Sequence, residues 1–433
     1  MKKTLFLAVG IVLVWSVPRR CWADIPPPDA SSAPLTLQDC YRRALHVSET
    51  LAIDQATIQQ LEAQYRQGIS AVLPTLTWIK TQEFQDTPNN QTNSSGSVQG
   101  TLLRSPIPQS YFELDQPLFH GLRELNALKG FKSARIAGEK TLEQARLSLL
   151  DDVAQVFYTS IDLQLELDLY GREHQITEDR IKQLKHWVDL GRSRSSEVLS
   201  TQVDLVSLEA QMEQTRAALQ TARITLQFLT EIPPTTPLVD NRPDPAPETL
   251  DKWLLHSVNR PDLQASAENR RAAEYQLRYA RGGWWPSLDF TGKWYTERVG
   301  FQQDDRWDAL FTLQVPLFSG GDTVAQIKLA QAQYAVADLN DRRLTRQARQ
   351  DVQNAYQTLT QSIKQAALYD RAASLARDNY QVQTKEYKLG LITNLEVLQV
   401  LKTQEDLEIQ SIRSHATAKQ NDVSLRVLAG VGL

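Results

Sequence analysis

Beyond its first 23 residues, the chain has no apolar run approaching the roughly 18–20 residues of a membrane-spanning helix. Charged residues make up 23% and mean hydropathy is -0.40, which excludes a helical membrane protein. If this chain crosses a bilayer, it does so with strands, the other arrangement that satisfies backbone groups in lipid. Cysteine is scarce: Cys21 and Cys40 are the two present, too few for a disulfide framework. The six histidines stand apart at 46, 120, 174, 186, 256 and 415, and methionine occurs twice, so no soft-metal site is visible. A basic run is missing too. The formal net charge is -4, which argues against nucleic acid as a partner. Phosphate-loop chemistry is missing, because Gly320-Gly321 lies between strand and helix without the Lys-Ser/Thr ending. Asp151-Asp152 and Asp304-Asp305 read as solvated faces, not as acid/base pairs. The chain is therefore read as no enzyme, with no cofactor.

What is present begins with a targeting signal. Lys2 and Lys3 precede an apolar stretch over 5–17, and Ala23 supplies a small residue at the expected cut. Residues 1–23 are expected to be removed, which leaves a chain starting near Asp24. Loss of Lys2, Lys3, Arg19 and Arg20 then shifts the formal charge from -4 to -8. Cys40 becomes the sole cysteine, expected as a small buried hydrophobe.

The mature sequence is written twice. Leu114 to Gly121 matches Leu313 to Gly320, a shift of 199 positions. The same shift carries Gly191 onto Gly390 and Glu197 onto Glu396. A period of this size is a duplicated half-molecule, not a solenoid. The expected division is residues 24–230 for the first repeat, a linker over 231–248 with six prolines, and 249–433 for the second repeat. Each half predicts two short helices (36–71 and 248–281), a strand pair, and a long helical hairpin. The hairpin arms are expected over 122–189 and 195–229, then 322–388 and 393–428. Val198, Thr201, Leu205, Leu208 and Met212 alternate three and four apart. That narrow stripe suits supercoiled helices packed side by side in a bundle or cylinder wall.

Strands are expected over 72–84, 111–118, 287–297 and 307–318. In the third, Leu288, Phe290, Gly292 and Trp294 alternate with Asp289, Thr291, Lys293 and Tyr295, the two-faced pattern of a membrane barrel wall. The loop 86–110, rich in Asn, Ser, Thr and Gly, is expected in solvent at the barrel rim. Four strands cannot close a barrel, because the smallest bacterial ones have about eight. If these strands span lipid, several chains share one barrel.

Together these features resemble the TolC-like outer-membrane factor family. The resemblance rests on Pro-Leu-Phe-x-Gly at 117–121 and 316–320, and on the strand starts at Pro74 and Pro286. Gly191 and Gly390, each followed by Glu-Val-Leu, complete it. It covers nearly the whole mature chain, in order, in both halves. It implies a mainly α protein with a small β part. A long coiled-coil α-helical barrel would continue a twelve-strand outer-membrane β-barrel shared by a homotrimer, four strands per chain. It implies a passive exit duct in the outer membrane, working with a periplasmic adaptor and an inner-membrane pump in efflux or type I secretion. The strand–helix junctions would hold Pro74, Pro117, Gly121, Pro286, Pro316 and Gly320. The periplasmic tips that dock the adaptor would hold Gly191, Arg192, Arg194, Gly390, Leu391 and Thr393. Glu197 and Glu396 would gate the pore. Bland readings of the two acids stand beside this: Thr393 and Glu396 form a capping-box pattern, and Glu197 is a first-turn acid favoured by the helix dipole. A periplasmic coiled-coil adaptor or scaffold is the alternative, since adaptors also carry a long hairpin, but a single one.

Overall fold

The computed structural model describes residues 34–84, 106–246, 248–299 and 302–432. The expected signal segment 1–23 and most of the expected loop 86–110 lie outside them. Thr36 closes a capping box with Asp39 at the head of α1 (Leu37–Val47), and Ser48 caps α2 (Glu49–Ser70). Strands β1 (Thr75–Glu83) and β2 (Ile107–His120) follow, then the long helices α3 (Arg123–Asp189) and α4 (Ser195–Thr230). The order then recurs as α5 (Leu250–Ser257), α6 (Pro261–Arg281), β3 (Ser287–Glu297), β4 (Trp307–Gln314), α7 (Asp322–Lys388) and α8 (Asn394–Leu428).

Helices α3 and α7 each hold 67 residues, about 100 Å at 1.5 Å per residue. Neither contains a proline, so no backbone bond in their ladders is lost to one. Helix α3 packs against both α4 and α8, and α8 packs against α7, giving a row in the order α4, α3, α8, α7. The thickest core lies midway, where the short helices meet the row. There Leu150, Val153, Phe157 and Tyr158 of α3 meet Leu37, Cys40 and Ala44 of α1, with Leu226 and Val423 from α4 and α8. Cys40 is wholly buried, and burial pushes its thiol up to about 12. Elsewhere the seams are thin. The buried residues of α7 are mostly alanines, among them Ala330, Ala348, Ala366 and Ala373.

The proline-rich stretch after α4 is tied down along α8. Lys419 donates to Asp240 at 2.5 Å, and Arg242 donates to Asp422 at 2.8 Å. The Leu35 N–H donates to the Pro237 carbonyl at 2.9 Å.

The four strands make one antiparallel sheet in the order β1-β2-β3-β4. β1 and β4 therefore stand at open edges. β2 begins at Ile107, earlier than expected, so residues 107–110 belong to the sheet and not to the loop. β4 ends at Gln314 opposite Ser287, short of the expected 318. Pro286 and Pro316 flank that last pair, and neither has an N–H to extend the ladder.

Candidate functional site

Two regions carry the expected functional residues: the hairpin tips and the sheet with its junctions. At both tips the first helix ends in the same motif. Gly191 has φ +70° and Gly390 has φ +75°, values glycine adopts without penalty. Arg192 N–H donates to the Trp187 carbonyl at 2.8 Å, and Gly191 N–H to the Val188 carbonyl at 2.9 Å. Leu391 and Gly390 repeat these bonds to Glu386 and Tyr387 at 3.0 and 2.9 Å. This pairing satisfies carbonyls that a helix end leaves open.

The second helices start differently. At α8, Thr393 N–H and hydroxyl donate to one Glu396 oxygen at 2.6 and 2.9 Å. Glu396 N–H donates back to the Thr393 hydroxyl at 3.4 Å. The Thr393 backbone and side chain hold the Glu396 carboxyl below its ordinary range. At α4 the cap is Arg194, which makes no side-chain cap bond. Glu197 is free for other work there. It accepts from the Ser193 hydroxyl at 2.7 Å and from the Tyr387 hydroxyl of the other hairpin at 3.4 Å.

Tyr387 is the centre of a cluster that joins the hairpins. The Arg180 guanidinium lies 3.9 Å from its ring centroid, and Trp187 lies 5.5 Å away. Arg180 also donates twice to Asn394, at 3.1 and 2.9 Å. Asn394, 1% exposed, donates in turn to the Thr201 hydroxyl at 3.2 Å. Arg192 and Arg194 are exposed and pair with no acid among the described residues. The cation facing the tip cluster is thus Arg180, which sequence reasoning missed. The signal was available in the repeat. Arg180, Thr201, Tyr387 and Asn394 align with Asn379, Val400, Val188 and Ser195, so the copies diverge at all four. Leu389 is 75% exposed and Leu391 and Leu395 are 70% exposed, which leaves an apolar patch beside the second tip.

At the junctions, Gly121 is required by space as well as by φ +64°. A Cβ there would sit 2.4 Å from the Gly282 carbonyl oxygen and 2.7 Å from Trp285 Cβ. Gly320 has φ +63° but open surroundings. Pro74 and Pro286 immediately precede Thr75 and Ser287, the first paired residues of β1 and β3, and Pro316 lies two residues past β4. Pro117 lies inside β2 and not beyond it; the register with β3 breaks between Pro117 and Phe119, where proline offers no donor.

The sheet has two unlike faces. The rung Trp78, Phe112, Trp294, Trp307 runs across all four strands. Leu76, Leu114, Phe290, Phe311, Leu288 and Leu313 share its face, and Phe311 and Leu313 are 64% and 66% exposed. The opposite face is polar. There Lys293 pairs with Glu113 at 3.0 Å, Thr291 donates to Asp115 at 2.7 Å, and Tyr295 donates to Asp308 at 3.0 Å. Trp285, at the helical end of β3, is 62% exposed. Trp285 and Trp294 are nine residues apart, about 30 Å of extended chain. Tilted by roughly 40°, that spans the ~25 Å apolar band between the aromatic girdles of an outer-membrane barrel.

A family model described as outer membrane efflux protein matches residues 40–230 and 256–431. The chain belongs to the outer membrane efflux protein family. It is an outer-membrane component of an export system, with long helices extending to the periplasmic side. It is 26% identical over 392 residues to the alkaline protease secretion protein AprF of Pseudomonas aeruginosa, across 84% of this chain and 78% of that one. It is 23% identical over 424 residues to the probable efflux pump outer membrane protein TtgC of Pseudomonas putida, across 92% and 83%. Its fold matches the outer membrane protein VceC of Vibrio cholerae with a TM-score of 0.79, at 16% identity, across 92% and 96%. The two matched segments are separated by residues 231–255, which hold the proline-rich stretch. The family is one of transport channels, not of enzymes.

Proposed function

We propose that three copies of this chain close a twelve-strand barrel whose lumen continues through a helical tube. The chain is then one third of a passive exit duct, loaded by an inner-membrane pump through a periplasmic adaptor at the hairpin tips. The observation that carries this is the sheet: apolar on one face, polar on the other, and open at both edges. An open edge in lipid leaves backbone groups unpaired at several kcal/mol each, so β1 and β4 need neighbours. The helical row agrees. Its end helices α4 and α7 expose Val203, Val206 and Phe228, and Val336, Leu339 and Leu368, each at 58–80%. A second copy on either side covers both ends and closes the cylinder. The apolar leucines beside Gly390 and the unpaired Arg192 and Arg194 are the adaptor-docking surface. Glu197, bound to Tyr387, is the acid that holds the mouth closed, whereas Glu396 serves chiefly as a cap. The duplicated halves, 24–230 and 249–433, supply two unlike hairpins to each third of the wall.

Native mass measurement of outer membranes extracted in mild detergent tests the assembly, and planar-bilayer recording tests the duct. A trimer that conducts ions is expected. Glu197→Ala raises its resting conductance, and Glu396→Ala does so far less. A monomeric protein, or a trimer that does not conduct, contradicts the reading.

A further inference from the structure

Helices α3 and α8 belong to different hairpins and run antiparallel, joined by a ladder of polar rungs. Ser424 donates to Asp151 at 2.6 Å. Gln420 donates to the Gln155 carbonyl at 3.1 Å and to Thr159 at 3.2 Å. Arg413 grips the fully buried Glu166 with two bonds, one of them 2.9 Å. Arg180 grips Asn394. Positions 159, 166, 173 and 180 recur every seven residues on α3, and three of them have a complementary partner. The exception is Glu173, which is repelled by the charges of Glu405 and Glu408.

Glu173 is 3% exposed, and its Oε2 is buried without a hydrogen-bond partner among the described residues. It lines a cleft of about 370 Å³ with Glu405 and Lys402 of α8 and Asp204 of α4. The cations nearby offset this burial only in part. Arg377 of α7 holds Glu408 at 2.7 Å, Lys402 acts on Asp204 and Glu405, and Arg172, exposed on the same helix, acts on Glu173 least of all the charges around it. Tyr380 of α7 also feels the Glu173 charge. Two carboxylates thus share one cleft, Glu173 buried and Glu405 half-buried, in a seam where the other rungs attract.

We propose that the Glu173–Glu405 rung is a proton-operated release point between the two hairpins, closed when protonated and driven apart when ionised. Burial first, then the charges of Glu405 and Glu408, push Glu173 up to about 7. Burial and Asp406 push Glu405 up to about 7 as well. The sign follows from linkage: the closed seam keeps protons that an opened, hydrated seam releases, so its stability falls as pH rises through about 7. The unsatisfied Oε2 is the same feature seen at one atom, because a protonated carboxyl tolerates dry surroundings that a carboxylate does not.

The link to conduction rests on the duct reading, whereas the motion of the seam does not. Two measurements separate them. Spin labels at Gln175→Cys and Thr403→Cys, in a Cys40→Ser background, report the α3–α8 distance by pulsed electron resonance. Planar-bilayer recording reports the aperture. In the parent protein the distance lengthens and broadens from pH 6 to pH 8, and resting conductance rises in step. Glu173→Gln, an isosteric neutral side chain, holds both at their pH 6 values throughout; Glu405→Gln serves the same purpose should the first variant assemble poorly. A distance distribution that ignores pH in the parent, or that responds equally in both Gln variants, overturns the proposal. A distance that responds while conductance stays flat upholds the proton-operated seam and overturns its coupling to the duct.

Discussion

Gly191 and Gly390 end their helices with positive φ, yet a Cβ at either would meet nothing within 4 Å. Replacing them therefore costs only the backbone preference, roughly 1 kcal/mol or more each. We expect Gly191→Val with Gly390→Val to leave trimer yield near normal while reshaping both tips. Export and cross-linking to the adaptor should then fail, measured on cells that express matched amounts of protein. Full export in that double variant removes the tips from the mechanism. Gly121 gives the opposite expectation. Its φ is similar, but the Gly282 carbonyl and Trp285 crowd it, so Gly121→Ala should lower the yield of assembled protein. Glu197 and Glu396 show how far a residue can be read from sequence. Their shared position in the repeat was legible, and so was the capping box of Glu396. The tie from Glu197 to Tyr387 was not, because those residues are 190 positions apart and only packing brings them together.

Among the elements, the strands make the sharpest distinction between neighbouring side chains. Phe311 lies on the apolar face opposite Phe290, and Thr312 lies on the polar face opposite Asp289. Phe311→Arg should cost about 2–4 kcal/mol if that face meets lipid near the bilayer centre. Thr312→Arg gains a carboxylate neighbour and stays in the lumen. Refolding into lipid vesicles, followed by urea titration, checks this. Equal loss in both variants means that the apolar face is not the lipid face. The alternation that sets these faces was legible because side chains on a strand reverse every residue. The ends of the strands were less so. β2 runs through Pro108 and Pro117, which on propensity alone stop a strand. Bulges and missing neighbours at those positions absorb the lost donors.

At the scale of the whole molecule, one chain is an incomplete object. Its helical row is one layer thick away from the central core, and its sheet has two open edges. Such a chain gains most of its burial from its neighbours, so assembly and folding are linked through concentration. We expect dilution of the detergent-solubilised trimer to lose helical circular dichroism in parallel with loss of the trimer mass. A monomer that keeps the full helical signal contradicts that link. The sequence by itself determined the doubled order of elements, the lengths of the long helices and the two-faced strands. These depend on local periods, caps and turn residues, which act over a few positions. It also carried the family resemblance, which the matched segments bear out. Only the tertiary structure decided which helices lie side by side. That choice put α3 against α8, made Arg180 the cation at the tip, and set the buried Glu173 in one cleft with Glu405. Heptad stripes specify that a helix has a packing face but not which partner it meets. The partner follows from the path of the chain through the sheet and its junctions.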